Sequence, residues 1–335
     1  MNAQSYTQFV PGADGRLDLI FSHAWVEPGR VAFENTSKIS PNAKFYVNTP
    51  KNDFYQNGIP GLGDSIEEAA RALSVILRRA NVTHLRCIGL SMGASAAVMY
   101  GALLDADVVI AYAPELEMGL PGFRSDYLNS DKRMSGAHRK LLEHLKLVGN
   151  RAQLMFPAYD LADWHQAAIA METGADYLWG GTFHPSGWTT RWAEFFAADS
   201  RTARVADFVV CDLFEPLHHD HMHAGGRVFR EFYAQNYDMA LQIALPLFEL
   251  LPSVGIATLL SIICYAKGDP AHGDFWLRQA ISHDKRNLLT EIRLNDDFHH
   301  CVPVGIKDHA KQRLNLFRAA MMPAEPAEVV QFSAL

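Results

Sequence analysis

Ser91 sits in Gly89-Leu90-Ser91-Met92-Gly93, a G-x-S-x-G spacing, and is the residue whose surroundings best suit covalent chemistry. A serine hydroxyl becomes a nucleophile when a histidine removes its proton and a carboxylate holds that histidine in the right tautomer. The oxyanion formed on attack needs backbone N–H donors. The pattern predicts a sharp turn that strains the serine backbone. Gly89 and Gly93 are needed there because side chains would strike the neighbouring strand or helix.

The elements around this turn have the expected character. Leu85-Arg86-Cys87-Ile88 is a short apolar run that reads as a buried strand. Gly93 to Leu104 is a run of very small residues that reads as a helix, whose N-terminus suits developing negative charge. Leu17 to Ser22 and Ala43 to Val47 read as strands before the turn, and Asp107 to Tyr112 as one after it. Asn48 to Asp64, rich in Asn, Pro and Gly, reads as a long loop. Its Asp53, Phe54 and Tyr55 either face substrate or pack among themselves. Ser65 with Glu68 has capping-box spacing, and Ala69, Ala72, Leu73, Ile76 and Leu77 form one helical face. Two successive strand–helix–strand crossovers predict a parallel sheet covered on both sides.

Residues 113–149 interrupt the alternation as a cap segment, with a helix expected from Met134 to Val148. A strand resumes at Ala152 and runs to Tyr159, followed by a helix from Ala162 to Thr173. Two placements of the last strand compete. Ala175 to Trp179 gives the simpler topology and leads to His184. Val205 to Leu213 is more apolar and leads to the cluster His218-His219-Asp220-His221-Met222-His223, where His223 directly precedes an expected helix. That cluster also has His-x-His spacing for a transition ion, although a solvated turn is the plainer reading.

The combination of strand, G-x-S-x-G turn and small-residue helix resembles the α/β-hydrolase superfamily over roughly residues 5–225. A looser likeness, carried by Asn52 to Gly61 and the helices that follow the sheet, is to bacterial hydrolase-like domains with helical repeats. The superfamily resemblance implies an α/β-hydrolase-like, mostly parallel sheet with helices on both faces. It implies Ser91 as nucleophile, Asp160 as acid with Asp163 as alternative, and His184 as base with His223 as alternative. The oxyanion N–H groups would come from Met92 and from His23 or Ala24 in the loop after the first core strand. A Ser-His-Asp site of this kind cleaves an ester or related acyl bond and needs no cofactor and no metal. An acyltransferase would carry the same triad, and a non-catalytic scaffold could keep the fold without it. The substrate would be a small-molecule, glycan or lipid acyl ester. Trp25, Trp164, Trp179, Trp188 and Trp192 suit either sugar and acyl groups or a packed core.

From residue 226 the chain reads as helical. Ala234 to Pro252 parallels Ala266 to Lys285 at an offset of about 33 residues, close to the tetratricopeptide period. Such hairpins must stack on something, so residues 226–322 are expected to cap the sheet, form a homodimer or bind a protein partner. Residues 323–335 read as a flexible tail.

The 335 residues, 49% hydrophobic and 20% charged, suit one large or two ordinary globular domains. A net charge of −7 without a basic block argues against nucleic acid as partner. No signal peptide or membrane span is visible, and four scattered cysteines fit a cytoplasmic chain.

Overall fold

The computed structural model describes residues 6–50, 52–120, 123–128, 141–157, 161–173, 176–180, 191–208, 219–284 and 304–321. They form two compact units, Met1–Leu250 and Leu251–Leu335.

The first unit is built on a seven-stranded sheet. Its strands are β1 (Thr7–Val10), β2 (Arg16–Phe21), β3 (Ala43–Val47), β4 (His84–Leu90), β5 (Val108–Tyr112), β6 (Ala152–Pro157) and β7 (Asp176–Gly180), in the spatial order β1-β3-β2-β4-β5-β6-β7. All neighbours run parallel except β1, which pairs antiparallel with β3 at one edge. The parallel strands therefore end at a single edge, where Ser91 follows β4. β7 pairs parallel with β6, so the simpler of the two expected topologies is the one found. Of the competing strand, the described part, Val205–Phe208, is a 3₁₀ turn, and 209–213 lie outside the described residues.

Strand alternation divides the core between two faces. Ile20, Ile88 and Ile110 face the aromatic cluster Trp192, Phe195 and Phe196 of helix α6 (Trp192–Ala197). The alternate residues face α2 (Met92–Leu103): Phe21 stacks on Tyr100 at 5.3 Å, and Gly101 lies over Cys87 and Val109. Helix α1 (Ile66–Arg79) starts as its sequence requires, with the Ser65 side chain accepting from the Glu68 N–H at 3.2 Å. The cap segment contributes α3 (Arg124–Leu128) and α4 (Leu142–Val148), a helix shorter at its described start than Met134–Val148. After β6 comes α5 (Leu161–Met171), against which α7 (His219–Tyr233) packs. α8 (Tyr237–Leu250) completes the unit. The arrangement is α/β-hydrolase-like: a mostly parallel sheet between helices, followed by C-terminal helices.

On the α6 face lies a buried ion pair. The Arg86 guanidinium donates to Asp18 from Nε at 2.7 Å and from Nη2 at 3.0 Å, and Asn42 donates to the same carboxylate at 2.9 Å. Both side chains are fully buried, and the guanidinium rests on the Phe195 ring at 4.9 Å. The charges are compensated within the core, where a lone one would be costly.

The second unit comprises α9 (Val254–Ala266), α10 (Pro270–His283) and α11 (Val304–Met321). Every residue of α9 from Val254 to Tyr265 is buried, as its unbroken apolar sequence demands. Gly273 of α10 is required by the ring of Tyr265, which a Cβ would approach to 2.4 Å. Asp274 accepts from Tyr265 Oη at 2.8 Å and pairs with Arg313 of α11. Among the described residues no helix is long and apolar enough to cross a membrane.

Candidate active site

The turn after β4 is as tight as its glycines imply. Ser91 adopts φ 51° and ψ −122°, a region sparsely occupied by residues with a Cβ. A Cβ on Gly89 would stand 2.0 Å from the Gly93 carbonyl oxygen. One on Gly93 would stand 2.4 Å from the Phe21 carbonyl oxygen and 2.9 Å from that of Ser22. The second pair of distances has a further consequence. It presses the elbow against the end of β2, so the loop beginning at Ser22 adjoins the serine.

Backbone donors gather there. The Ser91 N–H is already taken by the Tyr112 carbonyl at 2.8 Å, which leaves the next amide, Met92, as the first free donor of α2. Among the described residues no acceptor takes the N–H of Met92, His23 or Ala24. Met92 and Ala24 are both buried. Buried amides are nearly always satisfied, so amides left open beside a strained serine are suited to a transient anion. The His23 ring folds onto its own loop, with Nδ1 2.7 Å from the Ala24 carbonyl oxygen.

Hydrogen bonds from Tyr55, Ser22 and Asn48 hold this loop in place. Tyr55 Oη donates to the carbonyls of Ser22 at 2.9 Å and Val47 at 3.2 Å. Ser22 Oγ accepts from the Ala32 N–H at 3.0 Å. The Asn48 amide donates to the carbonyls of Val26, Glu27 and Arg30 at 3.0–3.2 Å. The 48–64 loop thus packs its own aromatics: Phe54 and Tyr55 are buried, with φ of 57° and 60°, and Asp53 accepts from the Tyr55 N–H. Burial raises the Tyr55 phenol well above its ordinary pKa, keeping it a neutral donor. A useful sequence signal was the polar residue at the end of β3, Asn48, where the chain must leave the sheet. Ser95, one turn after Ser91, bridges the N–H and carbonyl of Glu115 at 2.9 and 3.0 Å, tying the start of the cap segment to α2.

The other expected members are placed unequally. Asp160 and His184 lie outside the described residues, as does Trp188. Asp163 is fully buried in the first turn of α5, with Arg124 Nη1 3.7 Å from its carboxylate. His223 does not precede a helix but lies within α7, which begins at His219; the residues from 219 onwards are helix rather than a loop. Among the described residues no group of three or more His, Cys, Asp or Glu side chains could hold a metal ion. Trp164 and Trp192 are core residues, whereas Trp25 is 76% exposed, its backbone N–H donating to Asn52 Oδ1 at 3.2 Å.

Close to Asp163 is the buried carboxyl of Glu115, which accepts from the Ser125 N–H at 3.0 and 3.1 Å. Burial pushes its pKa up to about 7, against the pull of Ser125 and Arg124.

No family model and no curated protein matches this sequence. Among solved structures, the chain is similar to the capsule O-acetyltransferase of Neisseria meningitidis serogroup A, with 14% identity and a TM-score of 0.41 over 57% of this chain and 88% of that one. It is also similar to the peroxisomal alpha-beta-hydrolase Lpx1 from Saccharomyces cerevisiae, with 14% identity and a TM-score of 0.31 over 50% of this chain and 70% of that one.

Proposed function

We propose that the chain is a serine hydrolase that cleaves an ester or related acyl bond through Ser91. The observation that carries this reading is the strained elbow serine flanked by the open N–H groups of Met92, His23 and Ala24. Strain held at one residue by two obligatory glycines serves presentation of its side chain, not packing.

The base is His184 and the acid Asp160 in this reading. β6 and β7 end at the same edge as β4, two and three strands away, or about 10 and 14 Å. Asp160 follows the last residue of β6 by three positions and His184 follows that of β7 by four. Extended chain of those lengths spans about 10 and 14 Å, so both can converge on the serine. Asp163 faces Arg124 instead, and His223 belongs to α7.

Ser91 Oγ attacks the acyl carbon while the histidine takes its proton. The carbonyl oxygen becomes an oxyanion held by the amides. Collapse expels the alcohol, which receives the proton from the histidine, and leaves an acyl-serine. Water then attacks the acyl-serine with the same histidine as base, releasing the acid. A second hydroxyl compound in place of water gives acyl transfer through the same first half.

The test is turnover of short-chain p-nitrophenyl esters by the full chain, compared with Ser91→Ala. Loss of at least about 10³-fold in kcat with an unchanged melting curve supports the reading, a lost nucleophile being among the costliest changes to such a site. Equal turnover by the variant removes Ser91 from the chemistry.

A further inference from the structure

A cleft in the first unit lies between α5, α7 and the start of the cap segment, with a volume of about 290 Å³. None of Ser91, Met92, His23 or Ala24 lines it. Two glycines of α7 create the approach that forms it. A Cβ on Gly225 would meet the Trp164 ring at 2.2 Å, and one on Gly226 would come within 2.9 Å of the His165 Cα. The opposite wall is a strap, with the N–H groups of Leu116 and Glu117 both donating to Gln166 Oε1, at 2.8 and 3.0 Å.

The cleft holds polar groups without a structural task. His165 is buried, 6% exposed, and lines the cleft, yet its Nε2 makes no hydrogen bond. Glu117 Oε2 stands 3.9 Å from it, too far to satisfy it. An orphaned buried ring nitrogen on a residue that lines a cavity points to a partner that arrives from outside. Burial and the nearby Arg230 guanidinium lower the His165 pKa to about 4, so the ring is neutral at physiological pH. At the rim, Arg230 of α7 and Glu172 just beyond α5 carry opposite charges, and neither side chain makes an ion pair or hydrogen bond among the described residues. Leu116, Leu142 and Ile169 supply an apolar wall, and Glu117 and His223 also line the cleft.

We propose that this cleft binds a free apolar α-amino acid. Its carboxylate pairs with Arg230, its ammonium with Glu172, His165 Nε2 supplies a neutral hydrogen-bonding partner, and its side chain lies against Leu116, Leu142 and Ile169. The volume is at the lower end for small-molecule sites, which suits a ligand of that size. Recognition requires both charges of one small molecule, so neither end of a peptide satisfies it.

Calorimetric titration of the full chain tests this with L-leucine, N-acetyl-L-leucine and L-leucinamide. The acetylated compound lacks the ammonium, as a peptide C-terminal residue does, and the amide lacks the carboxylate, as an N-terminal residue does. L-leucine binds at one equivalent, and each derivative binds at least about tenfold more weakly, since each forfeits a charge-assisted contact. Arg230→Gln and Glu172→Gln, each replacing a rim side chain with no ion pair or hydrogen bond among the described residues, weaken leucine by about tenfold or more with unchanged melting curves. Ser91→Ala binds leucine as the parent does, which separates this site from the proposed catalytic one. Absence of leucine binding, equal binding of either derivative, or an Arg230→Gln chain that binds leucine normally overturns the proposal.

Discussion

Replacing Ser91 with glycine should stabilise the fold relative to replacing it with alanine. Both substitutions remove the hydroxyl, so any difference between them reports on the backbone. At φ 51° and ψ −122° a residue with a Cβ pays about 1–3 kcal/mol. Glycine escapes that strain but gives the unfolded chain more freedom, worth about 0.4–1 kcal/mol. Loss of one largely buried methyl takes away up to about 0.8 kcal/mol more. At the middle of these ranges the balance favours Ser91→Gly over Ser91→Ala by about 0.5–1 kcal/mol, or roughly 2 °C in the melting midpoint of a unit this size. Thermal and urea unfolding of the two variants side by side measures it. Ala94→Gly, three residues on in the fully buried part of α2, is the control, and should lose about 1–2 kcal/mol because its backbone is ordinary helix and its buried methyl is lost. If Ser91→Gly falls below Ser91→Ala by as much as Ala94→Gly falls below the parent, the elbow is unstrained and the argument from strain to function fails.

Three further outcomes follow from the same geometry. Gly93→Ala places a Cβ 2.4 Å from the Phe21 carbonyl oxygen, where only backbone can yield; a loss of more than about 3 kcal/mol or failure to fold is expected by denaturant melts, whereas Gly305→Ala in open helical space is neutral or stabilising. Asp18→Ala strands the buried Arg86 guanidinium and should cost about 3–5 kcal/mol, and the paired change Asp18→Leu with Arg86→Met should recover most of it. Glu115 holds its proton in the folded chain up to about pH 7 but only to its ordinary value when unfolded, so its contribution is full below about pH 4.5 and is lost as pH rises to 7. Glu115→Gln should therefore gain on the parent by about 1–3 kcal/mol between pH 5 and pH 8, read from unfolding curves at each pH; a difference independent of pH refutes the assignment.

The parallel core was legible because local and global signals agree there. The apolar runs at Leu17, Ala43, Leu85, Val108 and Ala152 are buried strands, and small residues around Ser91 leave room for its close packing. β1 escaped because an edge strand with half-exposed Thr7 and exposed Gln8 has no apolar period to read. The run from Val205 misled because a short apolar segment fits a strand as well as a turn that feeds Val205 and Phe208 into the aromatic cluster around Phe195. The histidines from His219 to His223 read as a loop before a helix, yet they and the pair Gly225-Gly226 are helix. Those glycines are there for the approach to Trp164 and His165, a contact that only the packed structure reveals. The stripe Met222, Gly225, Gly226, Phe229 and Phe232 was the signal present in the sequence. That Met92 opens α2 and that His23 and Ala24 follow β2 was readable by position, whereas the hydrogen bonds from Tyr55 to Ser22 and from Asn48 to Val26 that hold the loop join residues 33 and 22 positions apart and leave no local pattern.

The central claim is that Ser91 is an activated nucleophile, and intact-protein mass spectrometry after treatment with a fluorophosphonate tests it most directly. The account predicts one phosphonyl adduct per chain, localised to the peptide containing Ser91 and missing from Ser91→Ala. An unlabelled parent chain, or an adduct that persists in Ser91→Ala, would contradict it.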